Sequence, residues 1–329
     1  MKICMIGCGN HSTFVHGPSY KKYAALHKNI ELAACCDLSP ETAAQYAKEF
    51  GFARSYSNYM EMLDAEKPDM VCIILPITLT EKVAIEVLEA GYNCIIEKPP
   101  ALTPEGVLNI KAAQEKAQKQ LRVCFNRRYM PLVRYVIGEI AKAGESIQAI
   151  HYEMHRYRRG CEDFSSTAIH GIDLVKHVAG AEYANLRFDY YPIENNDQKG
   201  SHIYLSGQSE KGTALRLAFI PLSAADRECI SVHTPSTSYF VELPVTKYDR
   251  DGMIRVIKNG TEAEVSYAQL AANDGEEYFA RNGFYNCTAS FLDALTAGED
   301  NREGLIASTV QSVEVAQCVS RQQPVYVLS

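Results

Sequence analysis

The stretch DMVCIILPITLTEKVAIEVLEAGYNCIIEKP, residues 69–99, carries the pattern that decides the fold. One apolar run ends at Pro76, a helical segment follows and stops at Gly91, and a second apolar run ends on Glu97 and Lys98. Short, continuously apolar strands that alternate with helices are typical of a parallel sheet covered on both faces. The stretch therefore predicts a β-α-β unit with two charged residues at the carboxyl end of a strand.

The same alternation extends through the N-terminal part of the chain. KICMIG, IELAACCD and LRVCFN read as further buried strands. Two of the helices have clear starts, because Ser39 and Thr103 are good N-cap residues and each precedes a proline at the first helical position. We expect a doubly wound dinucleotide-binding (Rossmann) domain over residues 1–123.

The second part has a different pattern. From about Ser146 onward, polar and apolar residues alternate in segments such as IQAIHYEMHRY and TALRLAFIPL, with turn residues between them. Two late helices are predicted near 276–297 and 304–320. Residues 124–329 should form an α/β domain with a large, mainly antiparallel open sheet.

Composition narrows the class of protein. The chain has 329 residues and a formal net charge of -7, which argues against nucleic acid or an anionic membrane as a partner. No apolar run approaches the roughly 20 residues that span a bilayer. The eleven cysteines lie mostly inside apolar runs and form no C-x-x-C pair, so we expect reduced thiols, no metal site and a cytoplasmic location.

The loop GCGNHS, residues 7–12, follows the first strand and precedes a helix. This is the context that a dinucleotide-binding G-x-G-x-x-G loop requires. Gly7 would allow the tight turn, and Gly9 would let a pyrophosphate approach the backbone. Ser12 occupies the third glycine position, and an ordinary strand-to-helix turn is the alternative interpretation.

Asp37 closes the second predicted strand. An acid at this place can accept hydrogen bonds from the adenosine ribose and would repel a 2′-phosphate, which favours NAD over NADP. A helix-capping role before Pro40 is the alternative.

Lys98 would lie at the carboxyl edge of the sheet, where ligands of such folds bind. A positive cofactor ring and partial burial both lower the pKa of a lysine, which suits a proton shuttle. A surface ion pair followed by a turn is the alternative interpretation.

The segment SSTAIHGIDLVKHVAG, residues 165–180, is predicted to be a helix. Ser166, His170, Asp173 and His177 share one stripe of it. The stripe could bind substrate, form the solvated face of a surface helix, or hold a metal ion. No third region supplies obvious partner ligands for a metal.

Together these motifs resemble the Gfo/Idh/MocA oxidoreductases. MIGCGN, AACCD, EAGYNCIIEKPPALTPE, FNRRYMP and HGIDLVKHVAG occur in the family's order and cover almost the whole chain. The resemblance implies a Rossmann domain followed by an α/β domain whose open sheet mediates a homodimer or homotetramer. It also implies hydride transfer between NAD(P) and a hydroxyl-bearing carbon of a sugar, cyclitol or related polyol.

The resemblance assigns roles to individual residues. Lys98 and His170 are the expected catalytic residues. The expected cofactor contacts are Gly7, Cys8, Gly9, Asn10, His11, Asp37, Leu75, Pro76, Glu97, Lys98 and Asn126. The expected substrate contacts are Lys98, Ser166, His170 and Asp173. Tyr157 is a further expected substrate contact, on the ground of its polarity and its position after a strand of the second domain alone.

Three positions depart from the family pattern. Ser12 replaces a glycine, Thr80 stands where a histidine is common, and Ser166 replaces an aspartate that would orient His170. Ser166 keeps two alternatives open: a regulatory protein that binds dinucleotide without turnover, and an NAD-dependent glycoside hydrolase of the same fold.

Overall fold

The structure is a computed structural model of the chain. It describes residues 1–161, 163–195, 198–245, 252–270, 275, 277–299 and 306–328. The predicted late helices extend onto residues 276 and 304–305, which lie outside the described residues.

The strands are β1 Lys2–Ile6, β2 Glu31–Cys36, β3 Arg54–Tyr56, β4 Met70–Ile73, β5 Asn93–Glu97, β6 Leu121–Cys124, β7 Ala149–Tyr157, β8 Tyr183–Asn195, β9 Gln198–Ser209, β10 Ala214–Ser223, β11 Arg227–His233, β12 Thr237–Glu242, β13 Met253–Lys258, β14 Thr261–Ser266 and β15 Val325–Val327. The helices are α1 Gly17–Leu26, α2 Pro40–Phe50, α3 Tyr59–Glu66, α4 Ile77–Glu89, α5 Pro104–Ala117, α6 Pro131–Ala143, α7 Ser165–Ala179, α8 Tyr267–Leu270, α9 Tyr278–Arg281, α10 Phe284–Ala297 and α11 Ala307–Ser320. A π-helical turn at Ser12–His16 precedes α1. A 3₁₀-helical turn at Asn126–Tyr129 precedes α6.

The first compact unit consists of Met1–Asn126 and Glu277–Val310. Its sheet has the order β3-β2-β1-β4-β5-β6, and every pairing is parallel. All residues of β4 are fully buried, as expected for a strand with helices on both faces. This is the strand order of a Rossmann domain, so the predicted doubly wound class is confirmed.

The predicted helix starts in this unit are confirmed. The side chains of Ser39 and Thr103 accept hydrogen bonds from the backbone N–H groups of Thr42 and Gly106, each at 3.1 Å. Such caps satisfy N–H groups that have no partner within the helix.

The second compact unit consists of Arg127–Glu276 and Gln311–Ser329. Its sheet has the order β14-β13-β12-β11-β7-β10-β9-β8-β15 and is antiparallel except between β7 and β10. Helix α7 packs against β7 at Gly171, where an added Cβ would lie 2.1 Å from the ring of Tyr152. The large, mainly antiparallel open sheet that the sequence predicts is therefore present.

Each of the two units is built from two separate segments of the chain. The sequence places one boundary between residues 123 and 124, whereas the described residues 277–299 and 306–310 group with the first unit. Arg122 on β6 donates to Ser290 Oγ on α10 at 2.6 Å, and Tyr23 on α1 donates to Asp293 at 2.6 Å. The later segment thus completes the first unit rather than the second.

In the part of the chain that the structure describes, every helix is too short or too polar to cross a bilayer.

Candidate active site

Gly7 begins the loop after β1 and cannot be replaced without rearrangement. Its φ is +94°, and a Cβ added there would lie 2.0 Å from the carbonyl oxygen of Ile74. Its own N–H donates to the carbonyl of Cys36 at 2.8 Å. The loop is therefore held tightly between the ends of β2 and β4, as the predicted tight turn requires.

The next part of the loop faces outward. Gly9, Asn10 and His11 are exposed, and a Cβ added to Gly9 would meet no described protein atom within 4 Å. Packing within the protein therefore does not explain the glycine at position 9. A molecule that lies on the backbone, as a pyrophosphate does in this fold, would explain it.

Ser12 fits the place usually taken by the third glycine. It is fully buried, and its hydroxyl makes a 2.8 Å hydrogen bond with the hydroxyl of Tyr46 on α2. Because its polar atom is satisfied, this departure from G-x-G-x-x-G leaves the packing of the loop intact.

Asp37 lies against the loop at the end of β2. Its Oδ2 accepts from Cys8 N at 2.9 Å, and its Oδ1 accepts from Ser39 N at 3.1 Å. The N-cap of α2 is Ser39 rather than Asp37. The half-buried carboxylate therefore joins the glycine loop to the end of the next strand, at the edge where ribose binds in this fold.

Glu97 at the end of β5 is the most densely bonded acid of this edge. Its Oε1 lies 2.8 Å from Nε2 of His16 and 3.3 Å from Nε2 of His11, and its Oε2 accepts from Lys98 N at 3.0 Å. Burial acts to raise the pKa of Glu97, but the hydrogen bonds from both imidazoles outweigh it and hold the pKa below its usual range. Glu97 is therefore a buried carboxylate that stays ionised.

The tautomer of His16 follows from its surroundings. The side chain is fully buried, and Nδ1 has no hydrogen-bond partner among the described residues. Nε2 must therefore carry the hydrogen that bonds Glu97, because a buried N–H without an acceptor would cost about 1–3 kcal/mol. Burial also lowers the pKa of His16, against the opposing effect of Glu97. A second ring hydrogen at Nδ1 would have no acceptor among the described residues.

His11, His16 and Glu97 also form a group whose potential ligand atoms all lie within 4.8 Å of one another. Metal-binding histidines almost always donate their second ring N–H to an acceptor. His16 lacks such an acceptor among the described residues, so we interpret these contacts as hydrogen bonds and not as ligation.

Other predicted cofactor residues lie at the ends of neighbouring strands. Leu75 and Pro76 follow β4, Lys98 follows β5, and Asn126 follows β6, where its amide donates to the carbonyl of Asn282 at 2.8 Å. Lys98 is half-buried, and its peptide bond to the following proline is cis. Thr80, at the position where a histidine is common, is buried, and its hydroxyl donates to the carbonyl of Pro76 at 3.3 Å.

In the second unit, α7 carries the predicted substrate-side residues. Ser166 is exposed and His170 is half-buried. Asp173 is different, because it is 1% exposed, forms a two-pronged ion pair with Arg128, and accepts from Ser312 at 3.0 Å. These contacts give Asp173 a role in holding Arg128, and a substrate contact at Asp173 stays a prediction.

The polar stripe of α7 is therefore not a uniformly solvated face. Lys176 is also buried on this helix, where it pairs with Glu182 at 3.0 Å. Tyr157, at the end of β7, is 52% exposed, and its backbone N–H donates to Asp226 at 3.0 Å.

The sequence patterns do not point to His16 and Arg128, which bond Glu97 and Asp173 respectively. The contact of His16 with Glu97 joins residues 81 positions apart. The contact of Arg128 joins residues 45 positions apart, and no local pattern indicates it.

The parallel strand order, the glycine loop and the strand-end acid define the first unit as a dinucleotide-binding Rossmann domain. Residues 1–125 match the family model described as "Oxidoreductase family, NAD-binding Rossmann fold". This match over the first 125 residues agrees with the family resemblance of the sequence motifs.

Two individual proteins, both named as dehydrogenases, are similar to part of the chain. The chain is 31% identical to the D-glucoside 3-dehydrogenase of Escherichia coli (strain K12) over 39% of the chain and 36% of that protein. It is 27% identical to the scyllo-inositol 2-dehydrogenase (NAD(+)) of Bacillus subtilis (strain 168) over 44% of the chain and 45% of that protein. The chain thus spans less than half the length of these two relatives.

The whole fold is shared with a solved structure. A Gfo/Idh/MocA family oxidoreductase from Vibrio cholerae superposes with a TM-score of 0.81 and 20% identity, over 98% of this chain and 97% of that one. At this identity the similarity concerns the fold alone.

Proposed function

We propose that the protein is an NAD(H)-dependent oxidoreductase that transfers hydride between nicotinamide and a hydroxyl-bearing carbon of a sugar, cyclitol or related polyol. The observation that carries the proposal is the hydrogen bond of 2.9 Å between Cys8 N and Asp37. It joins the glycine loop to the acid at the edge of the sheet where Lys98 also stands.

The residues at this edge suit the transfer of both the hydride and the hydroxyl proton. Bound NAD⁺ would supply the hydride acceptor. Lys98, half-buried after β5, is the proposed acceptor of the hydroxyl proton, and Glu97 holds its backbone N–H at 3.0 Å. His170 on α7 of the second unit is the alternative proton acceptor, and Tyr157 and Ser166 are proposed substrate contacts.

The cofactor preference rests on Asp37. Its carboxylate is fixed by two backbone N–H groups and is half-buried. An adenosine 2′-phosphate next to it would be repelled, so NAD is the proposed cofactor and NADP the weaker ligand.

The substrate class is an extension from the matched relatives, whose names specify a glucoside and an inositol. The test is a screen of polyols and keto-sugars for a change in NADH absorbance, run with both NAD and NADP. Turnover of at least one such compound is expected. Dinucleotide binding without turnover on the whole panel would contradict the proposal.

Ser166 favours one other candidate function, a regulatory protein that binds dinucleotide without turnover. The exposed hydroxyl brings no charge to His170, so position 166 does not supply the acid that would raise the basicity of that imidazole. The same screen separates this candidate, and release of a glycosidic leaving group without net NADH formation would identify a glycoside hydrolase.

We also propose a homodimer or homotetramer that forms through the outer face of the nine-stranded sheet. That face carries charges of both signs, such as Arg227 between Glu153 and Glu242. Charges of both signs suit a self-complementary interface.

The free, mostly buried thiols of all eleven cysteines favour a reducing cytoplasm.

A further inference from the structure

Glu97 at the end of β5 is held by both of its carboxylate oxygens. Its Oε1 accepts from Nε2 of His16 at 2.8 Å, and its Oε2 accepts from the backbone N–H of Lys98 at 3.0 Å. All three residues lie in the first compact unit. The carboxylate therefore connects a side chain of the turn before α1 to the peptide unit that carries Lys98.

His16 is placed for this one contact. It ends the π-helical turn Ser12–His16, a kind of turn that is rare and occurs frequently at functional sites. Its side chain is fully buried, and the ring of Phe284 meets it edge to face with centroids 5.6 Å apart. Because Nδ1 has no hydrogen-bond partner among the described residues, the ring is anchored in that part of the chain by its bond to Glu97.

Glu97 depends on such donors to remain a carboxylate. Burial acts to raise its pKa, and the hydrogen bonds from the rings of His11 and His16 hold that pKa below its usual range. His11 is the more distant donor, at 3.3 Å, and its side chain is 50% exposed, so most of the restraint comes from His16. A buried carboxylate that loses its main donor either turns to another partner or takes up a proton. Both changes weaken its hold on the N–H of Lys98.

We propose that His16 is a positioning residue for Lys98, because through Glu97 it fixes the peptide unit from which the Lys98 side chain extends. The inference rests on the proposed function in one respect, the role of Lys98 as proton acceptor. An acceptor must stand within hydrogen-bond reach of the hydroxyl, and a small displacement lowers the rate. His16 takes no part in the proton transfer itself, since its Nε2 hydrogen is donated to Glu97.

Two substitutions of similar size separate hydrogen-bond donation from packing. His16→Gln keeps an amide N–H near the place of Nε2 and can still donate to Glu97. His16→Leu fills the site but has no donor. The control is Ser19→Ala, which removes a fully buried hydroxyl of α1 that donates to the carbonyl of Val15 at 2.6 Å.

The first measurement is amide hydrogen exchange, which needs no substrate. Two prolines follow Lys98 and have no N–H, so a short peptide across the strand end reports mainly on Lys98. This N–H should exchange about tenfold faster in His16→Leu than in the wild type, and within about twofold of the wild type in His16→Gln and Ser19→Ala. The amides of residues 94–96 in β5 are the internal reference and should exchange alike in all four proteins.

The second measurement is turnover of the polyol that the substrate screen identifies. His16→Leu should lose about tenfold in kcat, while the KM of the polyol and the Kd of NAD stay within about twofold of the wild type. His16→Gln should recover most of the lost rate, and Ser19→Ala should keep the wild-type rate.

Equal exchange of the Lys98 amide in His16→Leu and His16→Gln overturns the inference, and so does a wild-type kcat in His16→Leu. Faster exchange throughout β5, or an equal loss of NAD affinity in both His16 variants, also overturns it, because a merely structural histidine gives that result. If the wild type turns over no polyol, the proposed function fails, and the exchange of Lys98 by itself decides whether His16 holds that residue.

Discussion

Replacing Asp37 by Asn tests the cofactor assignment most directly. The carboxylate accepts from Cys8 N at 2.9 Å and from Ser39 N at 3.1 Å, so its position is fixed and its charge is compensated only by neutral donors. Asparagine has the same size and retains one oxygen that can accept from Cys8. The substitution therefore removes the charge while keeping the link that orders the loop.

The magnitude follows from Coulomb's law. A phosphate charge about 6 Å from the carboxylate would be repelled by about 3 kcal/mol at an effective dielectric constant of about 20. Because Asp37 is half-exposed, screening should reduce this to about 1–1.5 kcal/mol, or roughly tenfold in affinity. Asp37→Asn should thus lower the ratio Kd(NADP)/Kd(NAD) by about tenfold.

Titration calorimetry with both nucleotides measures this ratio. The matched control is Asp69→Asn, because Asp69 likewise accepts from a backbone N–H, that of Lys2 at 2.6 Å, but at the opposite edge of the same sheet. The control should leave the ratio unchanged. The reasoning is refuted if the wild type binds NADP as tightly as NAD, or if Asp37→Asn and Asp69→Asn give the same ratio.

Three further outcomes are expected. Lys98→Met should keep thermal stability and dinucleotide affinity but lose about 10²-fold or more in kcat. If the variant unfolds or keeps its rate, Lys98 has a structural role and not a catalytic one. Ser166→Asp should raise the acid-side pKa of His170 in the pH profile of kcat/KM, whereas Ser166→Ala should leave this pKa in place. If Ser166→Asp leaves the pKa unchanged, residue 166 does not act on His170. Burial acts to raise the pKa of Glu228, but Arg127 and Arg156 outweigh it and lower this pKa from 4.5 to about 2. The contribution of Glu228 to stability is therefore complete above about pH 4.5 and is lost as the pH falls towards about 2. Glu228→Gln should lower the free energy of unfolding by about 3–5 kcal/mol at neutral pH and flatten this acid dependence in denaturant titrations; an unchanged acid limb would exclude Glu228 as its source.

Much of the first unit could be read from local sequence. The strands, the caps at Ser39 and Thr103 and the glycine loop depend on neighbouring residues, so their patterns are visible without a partner. The expectation that Asp37 stands near the loop also came from the chain, because parallel strands place their carboxyl ends at one edge. The direct bond to Cys8 was not foreseen, since it depends on how the loop closes.

The sequence by itself thus determined the fold class, the edge of the sheet at which a ligand would bind, and the residue types available there. Tertiary structure alone decided which of those residues are committed to internal partners. Asp173 reads as one member of a polar stripe, yet Arg128 and Ser312 bury it in an ion pair. The described residues 277–299 and 306–310 read as part of the second domain but group with the first. The physical reason is the same in both cases: helical and strand periodicity is set by near neighbours, whereas the burial of a charge or of an apolar helix face is set by partners far away along the chain.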